Sequence, residues 1–350
     1  MRLVPIEYLT EGDIIAKDIM SNEGGILLRH HTKFKEAFKS KLIERNILEI
    51  YIEDEISKGI EPKQIIDPLI KQRMSQDVKK QFDYLKEKMA LNVDAIQKIA
   101  TELIEQMYQK ELILELDDLK INDEYTYEHC LAVAILTALV CQKLNMNTEQ
   151  KEKIVMGAMI HDIGKIIIPK DILNKPTSLT KEEYEVIKSH VQIGYKMIKD
   201  NQQLSPITKL AVLCHHERED GSGYPLGKGE ELHIGAKIVA ACDLYHALIS
   251  DRCYRQGLPI SEAIAIGQKE AIHPGIRTII EGLFAYYPVG CMVELNDGTI
   301  GIVEKNHSID IKRPTIRIIS KENGRLIEKC KMNLQENKEL YIVGKYKERL

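Results

Sequence analysis

Residues 215–225, HHEREDGSGYP, join a helix end to a loop within eleven positions. The apolar run ITKLAVLC (207–214) precedes them, so we expect a helix that closes on His215 and His216. The second half, DGSGYP, breaks a helix, because glycine permits positive-φ turns and proline fixes φ and removes a backbone donor. The stretch therefore predicts a helical domain in which two imidazoles stand beside a rigid turn.

Composition sets the class of protein. The chain has 350 residues, of which 29% are charged and 44% apolar, which is enough for two or three domains with a sizeable core. The net charge of −4 gives no general attraction to nucleic acid or an acidic membrane, so we expect neither DNA, RNA nor membrane as a partner. A small anionic nucleotide needs only a local cluster of cations.

Cysteine usage and the N-terminus indicate a compartment. The seven cysteines are scattered and form no Cys-x-x-Cys pair, which favours reduced thiols over a disulfide framework. The first residues, MRLVPIEYLTEGD, lack the apolar core of a signal peptide, and the run LAVAILTALVC (131–141) is too short to span a bilayer. We therefore expect a cytoplasmic protein.

The apolar patterns divide the chain into four parts. Residues 1–60 read as a small α/β module with a regulatory role inferred from position alone. Residues 61–118 are helical and form either a layer on the next domain or a dimerising helix pair, so a homodimer stays open. Residues 119–285 read as helices, whereas 286–350 read as period-two strands with a hairpin turn at NDGT (296–299). The predicted fold class is mainly α, a helical bundle with a small N-terminal α/β module and a small C-terminal β domain.

Polar clusters interrupt the apolar stripes of the helical domain. Burying so many ionisable groups costs free energy unless a partner compensates their charge. A dinuclear metal centre is such a partner, because imidazole and carboxylate suit first-row divalent metals and one aspartate can bridge two ions. The clustered residues are His129, His161, Asp162, His190, His215, His216 and Asp243.

Each cluster alone has a simpler interpretation. A lone buried histidine is more often a hydrogen-bonded core residue than a metal ligand. The pair His30–His31 in RHHTK (29–33) has charged neighbours and no apolar stripe, so we interpret it as solvated surface. The joint occurrence of the other clusters on one helical domain is what favours a metal site.

Six segments in this order resemble the HD-GYP branch of the HD metal-dependent phosphohydrolases. They cover about residues 123–284, and the trailing strands resemble a segment that follows some such domains. The resemblance implies an HD-type metallohydrolase bundle that hydrolyses the bacterial second messenger cyclic di-GMP to pGpG, with further hydrolysis to GMP left open. The segments are YTYEH (125–129), HDIGK (161–165), IPKDILNKP (168–176), SHVQIGY (189–195), HHEREDGSGYP (215–225) and ACDLYHALISDRCYR (241–255).

The same resemblance implies a metal centre, commonly of iron or manganese, whose ligands are the seven clustered residues, with Asp162 as the bridge. Two ions would lower the pKa of a bridging water and supply hydroxide near neutral pH. Some family members bind a third metal through a glutamate four residues before the first histidine. Tyr125 stands there, which favours two ions. Lys165 would offset charge on a phosphate oxygen, the alternative being an ordinary exposed lysine.

Substrate contacts are also implied. Arg252 and Arg255 lie three residues apart, and their planar guanidinium groups suit phosphate or a guanine edge. They could instead pair with Asp251 and Glu262. Further candidates for substrate contact are Lys175 and Tyr224.

The chain departs from the family pattern at His246. The family usually has aspartate three residues after the last ligand, here Asp243. His246 could perturb the site, add a ligand or alter the fit of the nucleotide. Two rival functions remain, a non-catalytic effector that binds cyclic di-GMP and an HD hydrolase for another cyclic dinucleotide. The intact ligand set argues against the effector, and the intact GYP loop favours cyclic di-GMP.

Overall fold

The computed structural model describes residues 1–20, 25–45, 47–107, 113–115, 119, 126–250, 257–322 and 325–346. The chain forms two compact units, residues 1–63 with 285–350, and residues 64–284. Helices dominate, and small sheets lie near both chain ends, so the predicted fold class is confirmed. The division into four domains stays a prediction.

Among the described residues, the unit formed by the two chain ends holds the strands, one α-helix and two short 3₁₀ helices. Its strands pair antiparallel in the orders β1-β5-β2, β3-β4 and β10-β6-β7-β8-β9. The NDGT turn joins two neighbouring strands as expected, with Gly298 at a φ of +81°. The elements are β1 (Arg2–Pro5), β2 (Ile14–Ile15), β3 (Ile19–Met20), β4 (Ile26–Leu28), α1 (Glu36–Glu44), β5 (Glu49–Glu53), β6 (Met292–Leu295), β7 (Ile300–Lys305), β8 (Thr315–Glu322), β9 (Arg325–Asn333) and β10 (Ile342–Lys345).

A buried arginine ties the N-terminal module to the C-terminal sheet. The Arg317 guanidinium donates to the carbonyl oxygens of Ile56 at 3.1 Å and Lys58 at 2.8 Å, and it lies 3.2 Å from a Glu304 oxygen. A buried charge requires such partners, because its desolvation is otherwise uncompensated. These contacts explain why two segments far apart in sequence form one unit.

The second unit is helical. A short 3₁₀ helix, Ile163–Ile167, lies between two of its α-helices. Within the described ranges, every helix is too short or too polar to cross a lipid bilayer. The α-helices are α2 (Pro68–Lys88), α3 (Val93–Met107), α4 (Thr126–Lys143), α5 (Thr148–Ile160), α6 (Lys170–Leu173), α7 (Lys181–Lys188), α8 (His190–Ile198), α9 (Pro206–Cys214), α10 (Ile234–Ile249), α11 (Ile260–Gly267) and α12 (Pro274–Leu283).

Helix α4 is the centre of this unit. All residues from 130 to 141 are buried, as expected for a helix that is apolar on every side. Helix α2 packs on α4, and α3 packs on both α4 and α5. The apolar faces of α2 and α3 therefore serve the core of their own chain, which favours the helical layer over a dimerising pair.

Helix boundaries bring polar residues to the same end of the bundle. Asn147 caps the start of α5, whose C-cap is His161, and Ser205 caps the start of α9, whose C-cap is His215. Side-chain caps satisfy backbone N–H groups that a helix leaves unpaired at its N-terminus. The well-defined starts fix the positions at which the opposite ends deliver their histidines.

Candidate metal centre

The structure brings together all seven residues that the sequence singled out. They come from the first turn of α4, the ends of α5 and α9, the start of α8 and the middle of α10. The predicted substrate residues Arg252 and Arg255, and the position of Tyr125, lie outside the described residues.

Asp162 lies at the middle of the site and is 1% exposed. Its Oδ2 atom is 3.4 Å from Nε2 of His161 and 3.6 Å from Nε2 of His129. Its Oδ1 atom is 3.2 Å from Nε2 of His190 and 3.6 Å from Nε2 of His215. The two oxygens of one carboxylate thus face two different pairs of imidazoles, which is the geometry a bridging ligand requires.

Two clusters of donor atoms flank this carboxylate. The first cluster is His129, His161 and Asp243, and the second is His190, His215 and His216; within each, the donor atoms lie within 4.8 Å of one another. In the first, Asp243 Oδ1 is 2.9 Å from His129 Nε2. With one Asp162 oxygen added, each cluster offers four nitrogen and oxygen donors of the kind that divalent first-row metals accept.

Backbone carbonyls fix the tautomer of three of the histidines. The distances from Nδ1 to the carbonyl oxygen three residues earlier are 2.7, 2.6 and 2.9 Å, respectively. A carbonyl only accepts, so Nδ1 carries the proton and Nε2 keeps its lone pair for the cluster. The three pairs are His161 with Ala158, His190 with Ile187, and His215 with Val212.

Two buried polar atoms at the centre of the site lack hydrogen-bond partners in the described part of the chain, and a cation would compensate their burial. Among the described residues, His161 Nε2 and Asp162 Oδ1 have no hydrogen-bond partner. A buried polar atom without a partner loses its hydration with nothing in return. Divalent ions coordinated by these lone pairs would compensate both atoms, so the residues present fit a metal centre.

Electrostatics at His215 and Asp162 supports the same conclusion. Burial lowers the pKa of His215 to about 4, which keeps the imidazole neutral. Burial alone would raise the pKa of Asp162, but the Lys165 ammonium holds it well below its usual range. Neutral imidazole and ionised carboxylate are the protonation states in which these groups bind metal.

Gly164 allows the 3₁₀ helix to reach α8. A β-carbon at this position would overlap the carbonyl oxygen of His190 and lie 2.7 Å from the backbone nitrogen of Gly194. Any larger residue would push Asp162, two positions earlier, away from His190. The glycine of HDIGK is therefore required by the close approach of two backbones.

The loop after the histidines is held by a residue that sequence reasoning missed. The buried Glu217 carboxylate accepts from the backbone N–H groups of Leu226 at 2.5 Å and of Gly227 and Lys228 at 3.2 Å. A β-carbon on Gly223 would lie 2.5 Å from the His216 carbonyl oxygen. The only sequence signal for Glu217 was an acid directly after two histidines.

The remaining predicted residues differ in their surroundings. Lys165 Nζ lies 2.5 Å from Asp162 Oδ2, inside the site. The Tyr224 ring stacks on His216 with 4.8 Å between centroids and 26° between planes. Lys175 instead contacts both carboxylate oxygens of Glu183, at 2.7 and 2.8 Å.

Cys130 is a further residue that the sequence did not single out. Its sulfur lies within 4.8 Å of donor atoms of His161 and Asp162. Burial raises the pKa of this thiol, so it stays protonated beside the first cluster. Its position directly after His129 was the available signal.

Two known domain families match this chain, one over the helical unit that holds the candidate metal site and one over the C-terminal strands. Residues 103–274 match the HD domain, and residues 292–349 match the KOW domain associated with HD domains. HD-domain hydrolases bind divalent metals, in agreement with the two clusters described above.

Individual relatives and a solved structure extend this result. The chain is 35% identical over 209 residues, 59% of its length and 50% of the relative, to a cyclic di-GMP phosphodiesterase from Pseudomonas aeruginosa. It is also 35% identical over 159 residues, 43% of its length and 33% of the relative, to 3'3'-cGAMP-specific phosphodiesterase 3 from Vibrio cholerae. The chain spans about half the length of the curated relatives it matches.

The fold is also found in a solved structure, an HDG"Y"P protein from Bdellovibrio bacteriovorus. The TM-score is 0.51 at 16% identity, over 80% of this chain and 97% of that protein. The resemblance inferred from the sequence is therefore confirmed: residues 103–274 match the HD domain, and the fold is shared with an HD-GYP protein.

Proposed function

We propose that this chain is a metal-dependent phosphodiesterase that hydrolyses cyclic di-GMP to pGpG, with GMP as a product of further hydrolysis. The observation that carries the proposal is the Asp162 carboxylate, whose two oxygens face two separate histidine clusters. The relative named as a cyclic di-GMP phosphodiesterase supports the substrate.

In this proposal each of the two clusters would hold one divalent ion, iron or manganese. His129, His161 and Asp243 would bind the first ion and the second cluster the other, with Asp162 as a ligand to both. When bound, such ions would supply activation of water near neutral pH and stabilisation of charge on phosphate oxygens. The protein contributes fixed Nε2 lone pairs, because backbone carbonyls hold the opposite ring nitrogens of three histidines.

Lys165 has two tasks in the proposed reaction. Its ammonium lies 2.5 Å from Asp162 Oδ2, so it keeps the shared carboxylate ionised and oriented. It can also donate to a non-bridging phosphate oxygen and stabilise the negative charge that grows there as the ester bond breaks. The expelled group is the ribose 3′-oxygen.

The nucleotide contacts proposed here have unequal support. The ring of Tyr224 is held beside the second cluster by its stacking on His216, where a base can contact it. Arg252 and Arg255 are proposed from sequence alone. Lys175 has the weakest support, because a phosphate would have to displace Glu183 from it.

The test uses purified protein loaded separately with Fe(II) and Mn(II), incubated with cyclic di-GMP, and chromatography of the products. We expect pGpG to accumulate with at least one metal. Tight binding of cyclic di-GMP without hydrolysis by the protein loaded with either metal would overturn the proposed enzymatic activity and favour a non-catalytic effector.

A second substrate, 3'3'-cGAMP, is included because one relative is named as specific for it. Both substrates carry the same phosphodiester linkages, so the chemistry is the same and the bases decide the preference. A preference for 3'3'-cGAMP in kcat/KM would move the proposal to that dinucleotide while retaining the metal mechanism.

The setting of this activity is also proposed. We expect a cytoplasmic enzyme, since its substrate is an intracellular messenger, with residues 1–60 as a regulatory module. A homodimer through residues 61–118 has less support, because α2 and α3 pack on their own unit. Light scattering decides this last point: the mass of one 40.0 kDa chain would exclude the dimer.

A further inference from the structure

His129 differs from its neighbours in what holds its second ring nitrogen. In His161, His190 and His215 the Nδ1 atom faces a backbone carbonyl. The Nδ1 atom of His129 instead lies 2.8 Å from Nδ1 of His246. A carbonyl can only accept a hydrogen bond, whereas an imidazole nitrogen can donate or accept, so the tautomer of His129 depends on that of His246.

The tautomer of His246 follows from its next contact. Its Nε2 atom lies 3.0 Å from the Ser250 hydroxyl oxygen, closer than its Nδ1 atom at 3.3 Å, and that hydroxyl donates to the His246 carbonyl oxygen at 2.7 Å. Because the Ser250 hydroxyl donates its proton to the carbonyl oxygen, the hydroxyl oxygen accepts a hydrogen bond from the His246 Nε2–H group. A neutral His246 protonated at Nε2 has a bare Nδ1, which accepts the Nδ1–H of His129.

We propose that His246 is a positioning residue for the first metal cluster, because it fixes His129 in the tautomer whose unprotonated Nε2, beside Asp243 and Asp162, can bind a metal ion. The order of donation runs from His129 to His246 to Ser250 and ends on a backbone carbonyl. His246 is 6% exposed, so water does not readily replace it as the acceptor.

The same contacts separate this role from the alternatives suggested by the sequence. Both ring nitrogens of His246 face protein groups, Nδ1 toward His129 and Nε2 toward Ser250, so the ring acts behind the ligand and not as a further ligand. The inference rests on the metal centre proposed above. Partners that orient a ligand in this way typically contribute about 10- to 100-fold in metal affinity.

The experiment measures Mn(II) dissociation constants for the full chain by competition with a chelator. We expect two bound ions in wild type and a loss of about 10- to 100-fold at one of them in His246→Leu, which removes the acceptor. His246→Asn places an amide oxygen near the position of Nδ1, so it should stay within about threefold of wild type. The Mn(II) affinity of Ser250→Ala should lie between those of His246→Leu and His246→Asn.

The matched control is His233→Leu, which changes a histidine at the start of the same helix, where it accepts from Gly235 N–H. This variant loses a helix cap but should keep both Mn(II) affinities. Equal affinity in His246→Leu and wild type would overturn the inference, as would an equal loss in His246→Leu and His246→Asn. Failure of wild type to bind two ions would instead overturn the proposed metal centre. If His246→Leu does not fold, the comparison of His246→Asn, Ser250→Ala and wild type decides.

Discussion

Two adjacent histidine pairs occur in this chain, and they have opposite surroundings. The side chains of His30 and His31 are 55% and 67% exposed, whereas those of His215 and His216 are 0% and 22% exposed. Both pairs lie near carboxylates; His30 is 2.7 Å from Asp18. Proximity to an acid therefore does not distinguish a site from a surface.

Burial and convergence make the difference. Water screens the exposed pair, and an ion pair there contributes about 0–1 kcal/mol. In the second pair, His215 shares the Asp162 carboxylate with imidazoles from other helices, and His216 lies 3.8 Å from Asp243. Protein groups alone leave polar atoms there without hydrogen bonds. The same dipeptide is thus a solvated surface in one place and a candidate metal ligand set in the other.

The largest effect is expected at Asp162, with Asp18 beside the exposed pair as its control. Asp162→Asn removes the charge shared by both clusters, so we expect fewer than two bound metals and a loss of about 10⁴-fold in kcat/KM, since metal ions supply several kcal/mol of transition-state stabilisation. Asp18→Asn, beside the exposed pair, should change neither. Metal analysis and steady-state kinetics check this, and retention of two metals by Asp162→Asn would contradict the shared carboxylate.

The second largest loss of activity is expected on replacing His215, one member of the buried pair. His215→Ala removes a donor from the second cluster only, so we expect loss of about one ion and about 10³-fold in kcat/KM, which corresponds to about 4 kcal/mol. His30→Ala should retain the metal content and activity of wild type. Elemental analysis of both proteins after the same loading is the measurement, and an equal metal content would show that His215 is not a ligand.

The sequence predicted the site residues better than their partners. The seven clustered residues stood out because ionisable side chains interrupted apolar stripes, and such stripes report local burial. Which Asp162 oxygen faces which histidine depends on the packing of separate helices, which no local pattern records. For the same reason the roles of Glu217 and Cys130 were missed.

The fold shows the same limit. Helices and strands with clear periodicity were predicted. The four-residue helix α6 is too short to show a period, and Pro169 before it is compatible with a helix start. The joining of the two chain ends into one unit includes the contacts of Arg317, a buried charge in a strand, and an apolar cluster that contains Ile56 and Ile60. Long-range pairings of this kind leave no periodic signal.

Two lysines of the helical unit, Lys165 and Lys175, allow a comparison of a lysine inside the candidate site with one outside it. Lys165 contacts Asp162, whereas Lys175 is held by Glu183. We expect Lys165→Met to lose about 10²-fold in kcat, the typical effect of removing one donor to developing charge, and to keep most of its metal. Lys175→Met should stay within about threefold, as is usual for a partly exposed ion pair. A larger loss in Lys175→Met would reverse the ranking of the two lysines as substrate contacts.

The smallest effect tests the division of the stretch 215–225 into a metal-binding half and a shaping half. Tyr224→Leu removes a ring that stacks on His216 but no donor atom, so both metals should remain. If the ring contacts a base, KM should rise about tenfold, because a base–aromatic contact contributes about 1–3 kcal/mol. Tyr224→Phe keeps the stacking surface and should resemble wild type. Metal loss in Tyr224→Leu as large as in His215→Ala would mean that the loop holds the ligands in place, and the two halves would then be one structural element.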